Sequence, residues 1–470
     1  NPEMQILLDQ LNKGYVTLQS ELQHGPLIKA MDDNGNSHWQ WAYGVVHSQV
    51  IFNKDIQQKL AKEKIDLNIH ADTIIDWNHQ IHMIVKLDPM DIVPADKSTA
   101  HVQWDGLLLS LQTPSSLDKV DSNFIFGALN VNESLSQTVA HIAAITLTRH
   151  AIKLKPYDLW VGPATFTVPS ITVSSAKNEL LNLNQFKIDS DNQVANGLLN
   201  AGLTVSLNKL MYSILAPPQV YGPGHVTFNI GAIDAPAFAE LLKILRNIQE
   251  KGGNQEQLRA ELLNQLPLVS KILSHGVTVK LNGDLVTPQG KISSDIHVKF
   301  AQPGAGVDPS AFIKAALDAE VTLHAIVPAP LAQTVLTEIA RESVLKQPSE
   351  PAANEIQTKT QVDISSQQQA EDMVNLWIKN GYVIKQADTY TLTLTYKDHT
   401  LKANDVLVPL TKLMAVEPTA ATTPENQAQP TQGSAPVTPA APTPASATAP
   451  ATPAAPVPAS PAILVSGSWY

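Results

Sequence analysis

Apolar residues alternate with polar ones over most of the stretch from Tyr15 to about Ile230, the two-residue period of half-buried strands. Leu67, Ile69 and Ala71 follow it, as do Leu107, Leu109 and Leu111, Phe166 and Val168 and then Ile171 and Val173, Val205 and Leu207, and Val226, Phe228 and Ile230. Turn chemistry separates these runs at Asp32-Asp33-Asn34-Gly35-Asn36, at Asp105-Gly106 and at Gly222-Pro223-Gly224. Many short strands with polar turns predict a large, mostly antiparallel sheet.

Helical spacing enters at 51–63, where Ile56 and Leu60 share a side, and becomes clear after Asp234, an N-cap residue with Pro236 in the first turn. Phe238, Leu241, Leu242, Leu245 and Ile248 form an apolar stripe that Gly252-Gly253 ends. A second helix is expected over 255–273, with Leu258, Leu262, Leu266 and Val269 inward and a kink at Pro267. Alternation returns as a hairpin over 276–300. A short helix capped by Asp308-Pro309, a strand over 319–327 and a helix over 330–341 follow. Ser366 is expected to open a further helix, carrying Ala370, Met373, Val374, Trp377 and Ile378 and closed by Gly381. Tyr390, Leu392, Leu394 and Tyr396, a turn at Lys397-Asp398-His399, then Leu401, Ala403, Val406 and Val408 form a last hairpin. The expected fold class is α+β: an extended, mostly antiparallel β-sheet with helices on one side or at one end. Residues 1–233 read as a β-rich N-terminal part, and 234–414 as an α+β C-terminal part of the same elongated body.

Residues 415–470 depart from this pattern. Twelve prolines fall between Pro418 and Pro461 in a segment of Ala, Pro, Thr, Ser and Gln, which excludes a persistent helix or ladder. A disordered, partly polyproline-II tether is expected, ending in an apolar aromatic tip of Ile463, Leu464, Val465, Trp469 and Tyr470. That tip is the candidate partner-binding element, suited to adding a strand to a partner's sheet edge.

Charge and composition narrow the function. A net charge of -11 with scattered basic residues argues against nucleic acid and against polybasic membrane recruitment. Cysteine is absent, which removes disulfides, thiolate metal sites and thiol nucleophiles. No run of about 18 apolar residues is present to span a bilayer as a helix. No phosphate cradle or nucleophile elbow occurs. His79 and His82, near Asp76, read as ordinary histidines around a strand turn, since residues three apart on a strand face opposite sides. No catalytic residue, metal or cofactor is therefore expected. Trp39, Trp41 and Tyr43 alternate onto one face, as a core or sheet-face ladder or, as the sharper alternative, a stacking or lipid-facing strip.

Three blocks carry a family likeness: His24-Gly25-Pro26 within Ser20–Leu27, the run from Tyr221-Gly222-Pro223-Gly224 through Ile233-Asp234, and Asp318–Leu323 with Val327-Pro328 and Tyr390–Asn404. Together they resemble the YdgA-like family of bacterial envelope proteins of unknown function. His24, Gly25 and Pro26 would make a structural turn between strands. Members of that family carry an N-terminal hydrophobic anchor, so the likeness implies a truncated start here and a periplasmic, inner-membrane-tethered location. His399 and Asp405 stand where the family's closing hairpin often has glycines. The expected function is a non-enzymatic periplasmic envelope protein with a structural or assembly role, bound to other envelope proteins through its tail and compatible with a homo-oligomer. The alternative is binding or transport of a lipid or other hydrophobic ligand in an apolar sheet groove. A second alternative is an enzyme whose site is not visible in sequence.

Overall fold

In the computed structural model, 25 strands join edge to edge into one sheet, and a two-stranded hairpin stands apart from it. The structure describes residues 16–62, 65–93, 100–176, 178–213, 217–250, 264–302, 314–315, 317–346 and 355–409. All of these belong to one compact unit, Asn1–Leu410, and Thr411–Tyr470 lies outside the described residues.

Every pairing is antiparallel, and most strands pair with near neighbours in sequence. From the edge strand Val16–His24 the sheet passes through Gly44–Phe52, Ile69–Ile75, Gln80–Leu87, Leu107–Pro114, Lys119–Phe126 and Ile145–Leu154. It continues through the long strands Ala164–Ser175 and Asn178–Ala195, then Leu198–Leu207, Gly224–Asp234, Thr278–Thr287 and Gly290–Lys299. Glu320–Pro328, Thr389–Lys397 and Thr400–Ala403 follow it to the far side. A second row of shorter strands joins the same two long strands: Met90–Ile92, Ala100–Trp104, Leu129–Glu133 and Thr138–Ile142 on one flank, Lys209–Tyr212 and Gln219–Tyr221 on the other.

Local chemistry closes the turns. Asp32 Oδ1 accepts the Asn34 and Asn36 N–H groups at 2.9 and 2.8 Å, and Gly35 takes φ 73 between the hairpin strands Leu27–Met31 and Ser37–Trp41. Asp76 repeats the device, accepting the Asn78 and Gln80 N–H groups at 2.8 Å each while His79 adopts φ 60. The hairpin folds onto the polar side of the sheet, where Ile28, Ala30 and Met31 meet Ala42, Val45, Ile74 and Ile84 in a small core.

Five helices occur among the described residues: α1 (Lys54–Lys62), α2 (Ala235–Glu250), α3 (Leu266–Ile272), α4 (Ala329–Lys346) and α5 (Glu355–Lys379). Asp234 Oδ1 accepts the Ala237 N–H at 2.9 Å and so caps α2. Helices α2 and α3 cover Leu199, Ile233 and Val277 in the larger core, with Phe238, Leu241, Leu242 and Leu268 packed against it. Pro267 lies in the first turn of α3, where its missing N–H has no intrahelical partner to lose; most of the helix expected upstream of it, 251–263, lies outside the described residues. One expectation is corrected: Ser366 does not open a helix. It is buried within α5, and its hydroxyl donates to the Val362 carbonyl at 2.6 Å, which satisfies it inside the helix. Gly381, at φ 73, follows the end of α5.

Candidate functional site: an apolar crease

Eight neighbouring strand runs share one irregularity. Their apolar alternation is broken once by a step of three: Leu87 to Met90, Trp104 to Leu107, Phe126 to Leu129, Ile142 to Ile145, Val168 to Ile171, Leu183 to Phe186, Leu207 to Leu210, and Tyr221 to Gly224. On a regular strand such a step would carry the apolar set to the opposite face. Here each step coincides with a break between strands or an irregular residue that re-phases the strand. Gln185 takes φ 51 in mid-strand opposite Pro169, and the two re-phase together with their register unshifted. Gly106, at φ 84, lies so close to the Leu87 carbonyl that a Cβ would sit 2.2 Å from its oxygen.

The breaks line up. On one side, Met90, Trp104, Leu129, Ile142, Ile171, Leu183, Leu210 and Tyr221 are cross-strand partners in unbroken succession. On the other side, Leu87, Leu107, Phe126 and Ile145 are likewise in register, as are Val168 with Phe186 and Leu207 with Gly224. Hydrogen bonding bridges the line: the Asp105 N–H donates to Ala128 at 2.9 Å, Gly127 to Gly106 at 2.7 Å, Ala143 to Ser170 at 2.9 Å and Asn208 to Asn184 at 3.1 Å. The sheet is thus creased without being cut. Eight strands at about 4.8 Å spacing give the crease a length of roughly 34 Å.

Its floor is apolar and mostly half-buried. Val168 keeps 5% of its surface exposed, and the Trp104 ring meets the Phe126 ring across the bend at 5.0 Å. The Trp104 Nε1 is buried without a hydrogen-bond partner. Away from the crease the same face stays apolar. Ala71, Val85, Leu109, Phe124, Leu147, Phe166, Ile188, Val205 and Val226 form one cross-strand row. Leu203, Phe228, Leu281, Ile296, Leu323, Leu394 and Ala403 form another. Most of these side chains are half-buried against each other, and Leu203, Val226 and Phe228 are exposed.

Most ion pairs of these strands lie on the reverse face. There His150 and Lys119 meet Asp121 at 2.9 and 2.7 Å, Lys187 meets Asp189 at 2.8 Å, and His225 meets Asp284 at 2.6 Å. Burial pushes the Asp121 carboxyl up, but the bonds from Lys119 and His150 outweigh it and hold the group below its ordinary range. Lys291, with His225 adding to it, holds Asp284 low as well. At one end of the crease Tyr212 and Tyr221 stack at 5.9 Å, and the hydrogen bond that the protonated Tyr221 phenol makes to Tyr212 raises its pKa.

The residues singled out by sequence lie elsewhere. His24 ends the edge strand, and Gly25-Pro26, a cis peptide, leads into the hairpin; the Gly25 N–H donates to Tyr43 at 2.7 Å and Pro26 accepts from Ala42 at 3.1 Å. Trp39, Trp41 and Tyr43 are not core: they are 62, 68 and 46% exposed, because Ile28 and Ala30 form the hairpin's inner side and the tryptophans its outer one. Tyr43 packs on Trp77 at 4.1 Å. Ile463, Leu464, Val465, Trp469 and Tyr470 lie outside the described residues. Among the described residues no group of three metal-ligating side chains comes together, and no helix is long and apolar enough to cross a membrane. The crease itself was not singled out by sequence, although the recurring step of three was there to signal it.

A family model described as a bacterial protein of unknown function (DUF945) matches residues 9–411. No curated protein matches the chain, and no solved structure does.

Proposed function

Since the chain belongs to this bacterial family of unknown function, its role has to be sought in its own geometry, and we propose that it binds the acyl chains of a lipid or lipid-like amphiphile along the crease. One observation carries the reading: the two rows that flank the crease are apolar on every strand they cross, Gly224 excepted, while the ion pairs of Asp121 and of Asp284 stand on the reverse face. A protein partner's hot spots favour Trp, Tyr and Arg set among pockets. This face is built chiefly of Val, Ile, Leu and Phe in straight rows, a surface that fits a flexible hydrocarbon lying across many strands. Burying apolar area there contributes about 25 cal/mol per Å².

Native mass spectrometry of protein purified from cells, with lipid extraction, tests this. Bound amphiphile is expected on the wild-type chain and should be lost in Leu129→Lys, which places a charge in the crease. Val139→Lys, at a position 46% exposed on the neighbouring strand and out of phase with the apolar row, should retain it. Wild-type protein free of any amphiphile would sink the proposal.

A second reading concerns the tail and rests on composition and family likeness. In it, the chain is a periplasmic envelope protein whose residues 463–470 dock on a partner protein. Removing those residues should then abolish one interaction without moving the melting curve; unchanged partners after deletion would count against it.

A further inference from the structure

Among the described residues, Arg149 sets an unpaired charge on the apolar face; Lys153, in phase with it at the end of the same strand, is paired with Asp158 at 2.6 Å. Arg149 lies in phase with Ile145 and Leu147, so its guanidinium belongs to the apolar face and not to the charged one. It is half-buried, and among the described residues it has no ion-pair or hydrogen-bonding partner for its side chain. Its neighbours on Lys119–Phe126 and Ala164–Ser175 are Ser122 and Ala164, and Ser190 pairs with Ala164 on the next strand. Neither serine hydroxyl is engaged elsewhere among the described residues. A cation with two hydroxyls in the same row therefore stands directly beside the apolar row of Phe124, Leu147 and Phe166. Four residues from Ile145 at about 3.3 Å each set it roughly 13 Å from the crease.

Resting on the acyl-chain reading above, we infer that Arg149 is the headgroup site: it receives the anionic head of the amphiphile whose hydrocarbon lies in the crease. The head is a carboxylate or a phosphate. Both match the planar fork of a guanidinium with paired N–H donors, and Ser122 and Ser190 can donate to remaining oxygens. A guanidinium with no partner among the described residues has its N–H donors to offer, and an arriving anion can fill them with charge-assisted bonds. The spacing makes the site selective for a charged head with a tail long enough to reach the crease. A free inorganic anion would gain only the polar half of the contact.

Three ligands with one acyl chain separate the possibilities: oleate with a carboxylate, oleoyl lysophosphatidic acid with a phosphate, and monooleoylglycerol with no charge. Affinity is measured for the full chain by displacement of a fluorescent fatty acid. In Arg149→Gln, oleate or lysophosphatidic acid, or both, should bind about ten- to a hundredfold more weakly, the loss of a charge-assisted pair. Monooleoylglycerol should change less than about twofold. Whichever anion suffers more identifies the natural head. Arg149→Lys should restore part of the affinity for the phosphate and less for the carboxylate, because a point charge lacks the fork. An equal loss for all three ligands, or no loss for either anion, overturns the headgroup assignment. Wild-type binding of monooleoylglycerol alongside such a result would leave the crease standing, whereas no binding of any ligand to the wild type overturns both.

Discussion

At the scale of single residues, the fold rests on a few positions where nothing else fits. A Cβ on Gly25 would stand 1.8 Å from the Ala42 carbonyl oxygen, and one on Gly106 would stand 2.2 Å from that of Leu87. Gly25→Ala and Gly106→Ala should each cost about 2 kcal/mol or more in urea unfolding, because backbone must move to admit them. Asp72 makes the opposite point, as a polar group required inside. It is 6% exposed and accepts from the Met31 N–H at 2.7 Å beside His47 Nδ1 at 2.8 Å. Asp72→Ala would leave that N–H buried without a partner and should destabilise by about 1–3 kcal/mol, whereas Asp72→Asn keeps an acceptor and should cost less. The closing hairpin runs the other way. Asp405 holds φ 67, a left-handed conformation that suits glycine, so Asp405→Gly should raise stability by about 0.5–1 kcal/mol in the same assay. Sequence showed that His399 and Asp405 occupy turn positions; the strain at them became visible only with the backbone angles.

At the scale of elements, alternation was a dependable guide to strands but silent on their joining. Leu107, Leu109 and Leu111 read as one strand from sequence, and so they are. That Trp104 and Leu107 belong to one bent run was hidden, because a step of three means a turn or a helix as readily as a re-phased strand. The helices misled for a related reason. Only the apolar part of α5 announces itself, so the helix was expected to begin at Ser366, whereas hydrogen bonding carries it back to Glu355. Arg149 was legible in principle, since its phase with Leu147 is written in the sequence; what made it significant was the face it shares. The re-phasing at Gln185 makes a sharp prediction. Deleting Gln185 should swap the faces of everything beyond it on Asn178–Ala195, sending Phe186 and Ile188 to the polar side. The variant should fail to give the wild-type far-ultraviolet circular dichroism, while Gln185→Gly should preserve it.

At the scale of the whole molecule, charge sorting onto one face sets the response to pH. The carboxyls of Asp118, Asp121, Asp189 and Asp284 all sit below their ordinary range, held there chiefly by lysines 155, 119, 187 and 291, with burial opposing this at Asp121 and Asp189. Below the unfolded value near 4 the unfolded chain takes up protons that the native state resists. Their stabilisation is therefore complete above about pH 5 and drains away as pH falls through the depressed native values. Melting temperature should be level from neutral to about pH 5 and drop steeply below about pH 4; a flat profile to pH 3 would contradict this.

The order of strands along the sheet bears on how such a chain comes into being. Among the described residues no two cross-strand partners lie farther apart in sequence than Val321 and Tyr396, and most are hairpin neighbours. A chain emerging amino-terminus first would have the docking edge for most strands finished before they arrived. Assembly can then proceed as accretion, strand upon strand, with nothing waiting for the carboxyl-terminal residues. The last strand of the crease to arrive would be Gly224–Asp234, so the binding surface would be complete while half the chain was still being made.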